Sequence, residues 1–199
     1  MNKIINAIKN NSNDIIKPTA VLLAICIIIP LALSLTNKIT VKKIARLEEE
    51  NSRKAMSNLI KADGFEKLGN NEYYKAVKDG ETVGYIFKTS TKGYGGDVSV
   101  MTAVNPDGTV KAVAILDVSN ETPGLGQNAA KESFYSQYEG KKKGISLIKN
   151  GADSEKNEVD AVTGATITST AVNRAVNEAL DEFEKLFANT NTAEVTDGE

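Results

Sequence analysis

A run without a single charged side chain, residues 19–35, is the feature that most constrains what this chain can form. Its length is close to the ~20 residues that an α-helix needs to cross a bilayer. A signal-peptide core is one alternative, but such cores are usually only ~7–15 residues long, and no convincing cleavage site follows Leu35. A buried helix is the other alternative. We predict a transmembrane helix over residues 19–36, kinked at Pro30, since membrane helices tolerate proline.

The segments that flank the span leave its orientation open. Residues 1–17 mix isoleucines with lysines, which predicts a short amphipathic helix at the membrane surface, within a cytoplasmic segment of residues 1–18. Four basic residues follow the span, so the count of Lys and Arg does not favour an outer C-terminal domain. Long domains cross membranes largely regardless of these charges. The basic residues are Lys38, Lys42, Lys43 and Arg46.

Beyond the span, the pattern changes from helical to extended. Residues 37–62 place apolar side chains among many charges and predict a helical stalk. Alternating apolar residues then predict two β-hairpins, because each pair of strands brackets a turn sequence. The strands and turns are 73–78 and 82–87 around Asp79-Gly80, and 98–104 and 109–116 around residues 105–108.

The rest of the chain adds helices to this antiparallel sheet. We predict a helix over residues 127–138, a strand within 144–148, and a helix after Thr166 whose apolar residues recur at i, i+3 and i+4. The fold class is therefore α+β, an antiparallel sheet with packed helices over residues 63–188, preceded by the single N-terminal transmembrane helix. Residues 189–199 are small, polar and acidic, which predicts a disordered tail.

Two absences in the composition restrict the chemistry. The chain has no histidine, which excludes Ser-His and Cys-His nucleophilic pairs and the commonest metal ligand. Cys26 is the only cysteine, so the chain forms no intrachain disulfide, zinc-cysteine site or iron–sulfur cluster of its own. The net charge of −2 gives no sign of nucleic-acid binding. We assign no catalytic residue and no metal ligand, so any redox chemistry requires a bound cofactor.

The stretch 160–170, Asp-Ala-Val-Thr-Gly-Ala-Thr-Ile-Thr-Ser-Thr, gathers hydroxyl side chains at the start of the last predicted helix. Free backbone N–H groups and the helix dipole make such a position receptive to phosphate. Gly164 and Ala165 would let a phosphate approach the backbone closely. Ordinary helix capping by Ser and Thr is the simpler interpretation of the same residues.

Residues 160–166 resemble the Asp-x-x-(Ser/Thr)-Gly-Ala-Thr motif at which a flavin transferase attaches FMN through a threonine phosphoester. The motif occurs in the FMN-binding subunits of the Rnf ion-translocating ferredoxin:NAD oxidoreductase and of the sodium-pumping NADH:quinone oxidoreductase. The resemblance implies that Thr166 carries one covalent FMN and that the transferase reads Asp160. Thr163 and Thr168 are expected to donate hydrogen bonds near the cofactor.

A second stretch, Glu121-Thr122-Pro123-Gly124-Leu125-Gly126, resembles a segment that lies beside the flavin in the FMN-binding domain family. Without that context it would be a rigid turn before a helix. A Gly-Tyr-Gly-Gly similar to that of the same domains spans residues 93–96, although alone it indicates a loop. The resemblance covers roughly residues 85–187, and it implies that the loop 122–126 forms a wall of the flavin site.

The resemblance also implies the function. The chain would relay electrons through FMN as part of a translocating oxidoreductase, together with other membrane subunits and an iron–sulfur partner, and would not be catalytic alone. No nicotinamide-binding Gly-x-Gly-x-x-Gly is present. The compact chain resembles the G subunit of the Rnf complex more than the C subunit of the quinone-reducing complex. A stand-alone membrane-anchored FMN protein is the third possibility.

The same resemblance implies a location in the cell membrane with the flavin domain on the extracytoplasmic side. The sequence leaves open whether sodium or protons are moved, what the flavin potential is, and which neighbouring proteins donate and accept the electrons. It also leaves open whether the run Lys141-Lys142-Lys143 docks a partner or is a solvated loop.

Overall fold

The computed structural model describes residues 12–69, 72–153 and 155–193. The chain divides into two compact units, residues 1–50 and 51–199. In the first unit, the described residues belong to helix α1, which begins at Ser12 and ends at Leu59 in the second unit. Within the described ranges, α1 is the helix that is long and apolar enough to cross a membrane.

Helix α1 joins the predicted transmembrane segment to the predicted stalk without interruption. It continues through Pro18 and Pro30. At about 1.5 Å per residue it is roughly 70 Å long, more than twice the ~30 Å of a hydrocarbon core. The apolar side chains of residues 19–35 are exposed, as expected of a surface that faces lipid. The predicted amphipathic helix of residues 1–17 lies largely outside the described residues.

The second unit is built on a five-stranded antiparallel sheet whose strand order follows the chain. Both predicted hairpins are confirmed. Asp79 and Gly80 have positive φ angles of 53° and 83°, as a two-residue turn of the hairpin type requires. The first strand of this sheet, β1 Gly64–Leu68, was not predicted from the sequence. The strands are β1 Gly64–Leu68, β2 Tyr73–Lys78, β3 Glu81–Lys92, β4 Asp97–Val104 and β5 Val110–Asp117.

The C-terminal helix α3, Thr166–Ala193, packs on one face of this sheet. Alternation along β4 directs valines at 98, 100 and 104 into the core that α3 covers. Two threonines of β3 also bind the helix: Thr89 Oγ1 donates to the carbonyl oxygen of Ala175 (3.0 Å) and Thr91 Oγ1 to that of Ala171 (2.6 Å). These contacts fix where α3 begins relative to the sheet.

The other face of the sheet is covered by the end of α1. Met56, Leu59 and Ile60 are buried there against Ile86 and Met101. Residues 51–59 of the predicted stalk therefore contribute to a second, smaller core.

The region between β5 and α3 differs from the prediction of one helix over residues 127–138. Lys131 has an extended conformation with ψ 140°, which divides the segment into short pieces. They are a 3₁₀ helix Gly126–Ala130, helix α2 Glu132–Tyr135, and a 3₁₀ helix Ser136–Tyr138. The predicted strand at 144–148 is confirmed as β6, Ser146–Ile148, which pairs in parallel with β7, Glu158–Asp160.

The lysine run, residues 141–143, is attached to other segments of the second unit. Lys141 Nζ donates to the carbonyl oxygen of Lys156 (2.7 Å), and Lys143 Nζ lies 2.7 Å from Asp181 Oδ1 and 2.8 Å from Glu184 Oε2 on α3. The hydrogen bonds that Lys143 makes with Asp181, the larger cause, and with Glu184 raise the pKa of Lys143. These contacts attach the loop to the helix.

At the C-terminus, α3 ends at Ala193, so it includes residues 189–193 of the range assigned to a tail. Extending an existing helix costs far less than nucleating one, which favours this continuation. Residues 194–199 lie outside the described part of the chain.

Candidate functional site

The hydroxyl groups of residues 160–170 fall into two classes. Ser169 is buried and closes the turn before α3: its Oγ accepts from the Val162 N–H (2.9 Å) and donates to the carbonyl oxygen of Ala165 (3.0 Å). Thr168 is also buried. Thr163 and Thr166 are exposed, and Thr166 is the first residue of α3. Ser169 therefore stabilises the turn before α3, while Thr166 is an exposed residue.

Thr166 lies at the edge of a cavity of about 560 Å³. Three segments that are distant in the sequence form it: the loop between β3 and β4, the stretch after β5, and the start of α3. Its volume falls within the range of ~300–1,000 Å³ that is usual for small-molecule sites. The lining residues are Tyr94, Glu121, Thr122, Leu125, Gly126, Gly164, Ala165, Thr166, Ile167 and Thr168.

Glu121 connects these three segments. Its side chain is buried, with 2% of the residue exposed. Oε1 accepts a hydrogen bond from the Gly95 N–H (3.0 Å), and Oε2 accepts one from Thr168 Oγ1 (2.5 Å). A buried carboxyl group needs such partners, because an unsatisfied one would cost far more than the bonds contribute. Glu121 therefore lines the cavity and also holds the three segments of its wall together.

Glycines allow the close approach around Glu121. A Cβ atom at Gly95 would overlap the carbonyl oxygen of Asn120, and one at Gly93 would overlap Glu121 Oε1. A Cβ atom at Gly126 would lie 2.7 Å from both Glu121 Oε2 and Thr168 Oγ1. The loop 93–96 and the stretch 121–126 thus pack against each other at a distance that only glycine permits.

Large apolar side chains surround the opening. Tyr94 is 72% exposed, Ile167 54% and Leu125 44%. Among the residues of the second unit whose exposure is described, these three are the exposed large apolar side chains. An exposed apolar cluster at a concave site is typical of a ligand-binding surface. The three side chains would bury apolar surface against a flat aromatic ligand.

A smaller cavity of about 230 Å³ shares Gly164 and Thr166 with the cavity of 560 Å³ and is also lined by Thr163. Lys149 and Asn150 line it as well, which brings a cation close to the start of α3. The N-terminus of a helix already favours negative charge, and a lysine beside it adds to that preference.

The structure places Asp160 outside both of these cavities. Its Oδ1 accepts a hydrogen bond from the Ala152 N–H (2.9 Å), and its own N–H donates to Gln137 Oε1 (2.9 Å). Asp160 lines a third cavity, of about 360 Å³, together with Thr163. The contact with Ala152 anchors the loop that begins at Lys149.

Most of the site residues predicted from the sequence meet at the cavity of 560 Å³: Glu121, Thr122, Leu125, Gly126, Gly164, Ala165, Thr166 and Thr168. Pro123 and Gly124 belong to the same loop without being among the lining residues, and Thr163 lines the two smaller cavities. Tyr94, Ile167 and Lys149 were not among the predicted site residues. For Tyr94 the available signal was an aromatic residue within a run of glycines.

Comparison with known proteins shows the family of this chain. Residues 93–181 match the family model described as the FMN-binding domain. Over 157 residues the chain is 37% identical to the G subunit of the proton-translocating ferredoxin:NAD(+) oxidoreductase complex of Clostridium ljungdahlii, covering 78% of this chain and 82% of that protein. This chain belongs to the G-subunit family of ion-translocating oxidoreductase complexes.

A second G subunit and one solved structure are also similar to this chain. The chain is 33% identical over 188 residues to the G subunit of the Na(+)-translocating ferredoxin:NAD(+) oxidoreductase complex of Acetobacterium woodii, covering 83% of this chain and 90% of that protein. It also aligns with the crystal structure of Shewanella oneidensis NqrC, with a TM-score of 0.49, 30% identity, and 53% and 52% of the two chains covered. Family membership, the FMN-binding domain and the apolar helix identify this protein as a membrane electron-transfer flavoprotein.

Proposed function

We propose that this member of the G-subunit family carries one FMN, esterified through its phosphate to Thr166 Oγ1, and relays electrons within an ion-translocating ferredoxin:NAD oxidoreductase complex. The observation that carries the proposal is the position of Thr166. This exposed residue is the first of α3, and it lines a cavity that also carries three exposed apolar side chains. A phosphate and an aromatic ring system attached to its hydroxyl would each meet a suitable surface.

The residues present suit both parts of FMN. Leu125 and Ile167 offer apolar surface to the isoalloxazine ring, whose burial against them is favourable. The first backbone N–H groups of α3 and the nearby Lys149 favour the phosphate charge. Gly164, with a φ of 75°, bends the chain just before the helix in a conformation that other residues rarely adopt. When bound, FMN supplies the redox chemistry by taking up and releasing electrons.

Attachment requires a separate enzyme. The threonine oxygen forms a bond to the flavin-side phosphorus of a flavin dinucleotide. The bond from that phosphorus to the bridging oxygen breaks, the other nucleotide leaves as a monophosphate, and the hydroxyl proton is released. The chain has no histidine to accept this proton. A flavin transferase would supply the base, and the exposure of Thr166 gives such an enzyme access to the hydroxyl.

The relay role follows from what the chain lacks in its sequence. It has neither a nicotinamide-binding fingerprint nor the cysteines of an iron–sulfur cluster. Electrons would therefore reach the flavin from one neighbouring protein of the complex and leave to another. Residues 19–35 carry no charged side chain, so an ion pathway would be formed by other subunits. The protein would function as part of a translocating enzyme and not as a catalyst by itself.

Purification of the full-length, tagged protein from its own membranes tests the relay role. A relay protein is expected to bring down several multi-span membrane proteins and an iron–sulfur protein in fixed proportion. Isolation as a lone flavoprotein would instead favour a stand-alone membrane-anchored FMN protein. Co-isolation with a quinone-reducing complex would favour the role of its C subunit.

We also propose that the flavin domain lies on the extracytoplasmic side. The support is the resemblance to families whose flavin domain lies on the outer side. The count of basic residues, three before the span and four just after it, does not favour this side, but long domains cross membranes largely regardless of such charges. Protease should digest the second unit when it is added to cells whose cell membrane is intact but whose outer layers let the protease through. Protection of that unit, while a known outer protein is cut, would place it in the cytoplasm.

A further inference from the structure

Tyr94 is the most exposed large apolar side chain described in the second unit, at 72%, and it lines the cavity next to Thr166. Exposing an aromatic ring forgoes the burial that usually stabilises it. Single exposed apolar residues are common, but this one lies beside Leu125 and Ile167, which belong to two other segments. One aromatic ring and two branched side chains thus converge on one opening.

The loop that carries Tyr94 is held firmly. The Gly93 N–H donates to the carbonyl oxygen of Gly96 (2.8 Å), and the Gly95 N–H donates to Glu121 Oε1 (3.0 Å). Side chains at 93 and 95 would collide with Glu121 and Asn120. The backbone on both sides of Tyr94 is therefore fixed against the stretch that forms the cavity wall, and the phenol ring is presented from a defined position.

We propose that Tyr94 packs its ring against one face of the flavin held at Thr166 and shields that face from water. The inference rests on the proposed function and adds a cofactor-contacting residue to it. Aromatic rings stack favourably when offset, and an exposed tyrosine at the rim supplies one such surface without any rearrangement of the core. Leu125 and Ile167 then contact the remainder of the ring system.

Three full-length proteins in detergent, each produced together with a flavin transferase, test this assignment: wild type, Tyr94→Phe and Tyr94→Ala. Intact mass first establishes that each carries one covalent FMN. Flavin fluorescence is then measured in folded and in denatured protein, and quenching by iodide is measured in the folded protein. Tyr94→Phe is the matched control, because it keeps the ring and removes the phenol that donates electrons to an excited flavin.

We expect weak flavin fluorescence in the folded wild type and a clear increase in both variants, with equal fluorescence after denaturation. The bimolecular rate constant of iodide quenching, which is the quenching slope divided by the fluorescence lifetime of the same protein, should rise about two-fold in Tyr94→Ala, since one of the two ring faces becomes accessible. It should stay near wild type in Tyr94→Phe. If Tyr94→Ala fails to fold, the fluorescence of Tyr94→Phe still shows whether the phenol lies against the flavin.

Equal fluorescence and equal iodide quenching in all loaded proteins would overturn the assignment and leave Tyr94 as a surface residue available to a protein partner. Wild type without covalent flavin would instead contradict the proposed attachment at Thr166. The mass measurement therefore separates failure of the Tyr94 assignment from failure of the proposed function.

Discussion

Thr168 Oγ1 donates a 2.5 Å hydrogen bond to Oε2 of Glu121, a residue 47 positions earlier in the chain. Both side chains are buried, at 2% exposure each. The bond joins the first turn of α3 to the stretch after β5, and the other oxygen of Glu121 joins that stretch to the loop of Tyr94 through Gly95. One carboxyl group thus fixes the three segments of the cavity wall relative to one another.

Thr168→Val removes the donor to Glu121 while keeping the shape of the side chain. We expect the free energy of unfolding to fall by about 1–3 kcal/mol, because a buried carboxyl oxygen loses its partner. Chemical denaturation of the full-length protein measures this loss. Thr170→Val is the control: Thr170 is exposed, and its Oγ1 donates to the Thr166 carbonyl oxygen one turn earlier. Equal effects of the two substitutions would contradict a special role for the Glu121 contact.

Gly95→Ala tests the close packing of the Tyr94 loop. Because the added methyl group would overlap the Asn120 carbonyl oxygen, the loop must shift, at a cost of about 1–3 kcal/mol typical of overpacking. The shift should also lower the yield of covalent FMN, measured by intact mass. Gly64→Ala serves for comparison, since a Cβ atom there meets no atom within 4 Å. A Gly95→Ala protein as stable as Gly64→Ala would show that the loop has room.

Asp160 is expected to act through the loop that it anchors. Asp160→Ala removes the acceptor for the Ala152 N–H, so Lys149 and Asn150 lose their fixed position beside Thr166. We expect flavin loading to slow by up to about ten-fold, the equivalent of one hydrogen bond. Asp160→Asn keeps an acceptor oxygen and should load at nearly the wild-type rate. If Asp160→Asn loads as slowly as Asp160→Ala, the transferase reads the carboxylate charge itself.

Tyr138 has a fully buried hydroxyl without a hydrogen-bond partner among the described residues. Tyr138→Phe should raise the free energy of unfolding by about 1 kcal/mol, since it removes an unsatisfied polar group and keeps the edge-to-face contact with Phe134. Thermal unfolding measures the change. A loss of stability would reveal a buried partner such as a water molecule.

The same residue gives a pH dependence with a defined sign. Burial raises the pKa of Tyr138 above its ordinary value of 10.0. The native state therefore keeps the proton at a pH where the unfolded state has lost it, and wild-type stability falls as the pH rises above about 10. Tyr138→Phe lacks this component, so its advantage over wild type should grow as the pH is raised from about 9 to about 11. Urea denaturation of both proteins across this range measures the difference, and a constant difference would contradict the burial of the phenol.

Local patterns were enough to predict the central elements. The alternation in residues 98–104 and the Asp79-Gly80 turn specify hairpins because strand side chains alternate and such turns need positive φ. The apolar period after Thr166 specifies α3 for a similar reason. The segments 121–126 and 160–170 could be assigned to one flavin site from the sequence, because each carries a recognisable motif.

Other features depend on contacts that no local pattern contains. Strand β1 is short and lacks clear alternation, and its pairing with β2 is what makes it a strand. The break at Lys131 and the link from Lys143 to α3 are likewise tertiary effects. The role of Glu121 as a buried connector, and the position of Tyr94, follow from how the loops pack and could not be predicted from spacing.

Attachment of the flavin at Thr166 is tested most directly by the intact mass and in-gel flavin fluorescence of denatured full-length protein produced with a flavin transferase. Wild type, Thr166→Val and the control Thr170→Val should be compared, since Thr170 is also an exposed threonine, four residues later and outside the motif 160–166. We predict a mass increment of one FMN and covalent fluorescence in wild type and Thr170→Val, and neither in Thr166→Val. Covalent flavin that persists in Thr166→Val, or none in wild type despite an active transferase, would contradict attachment at Thr166.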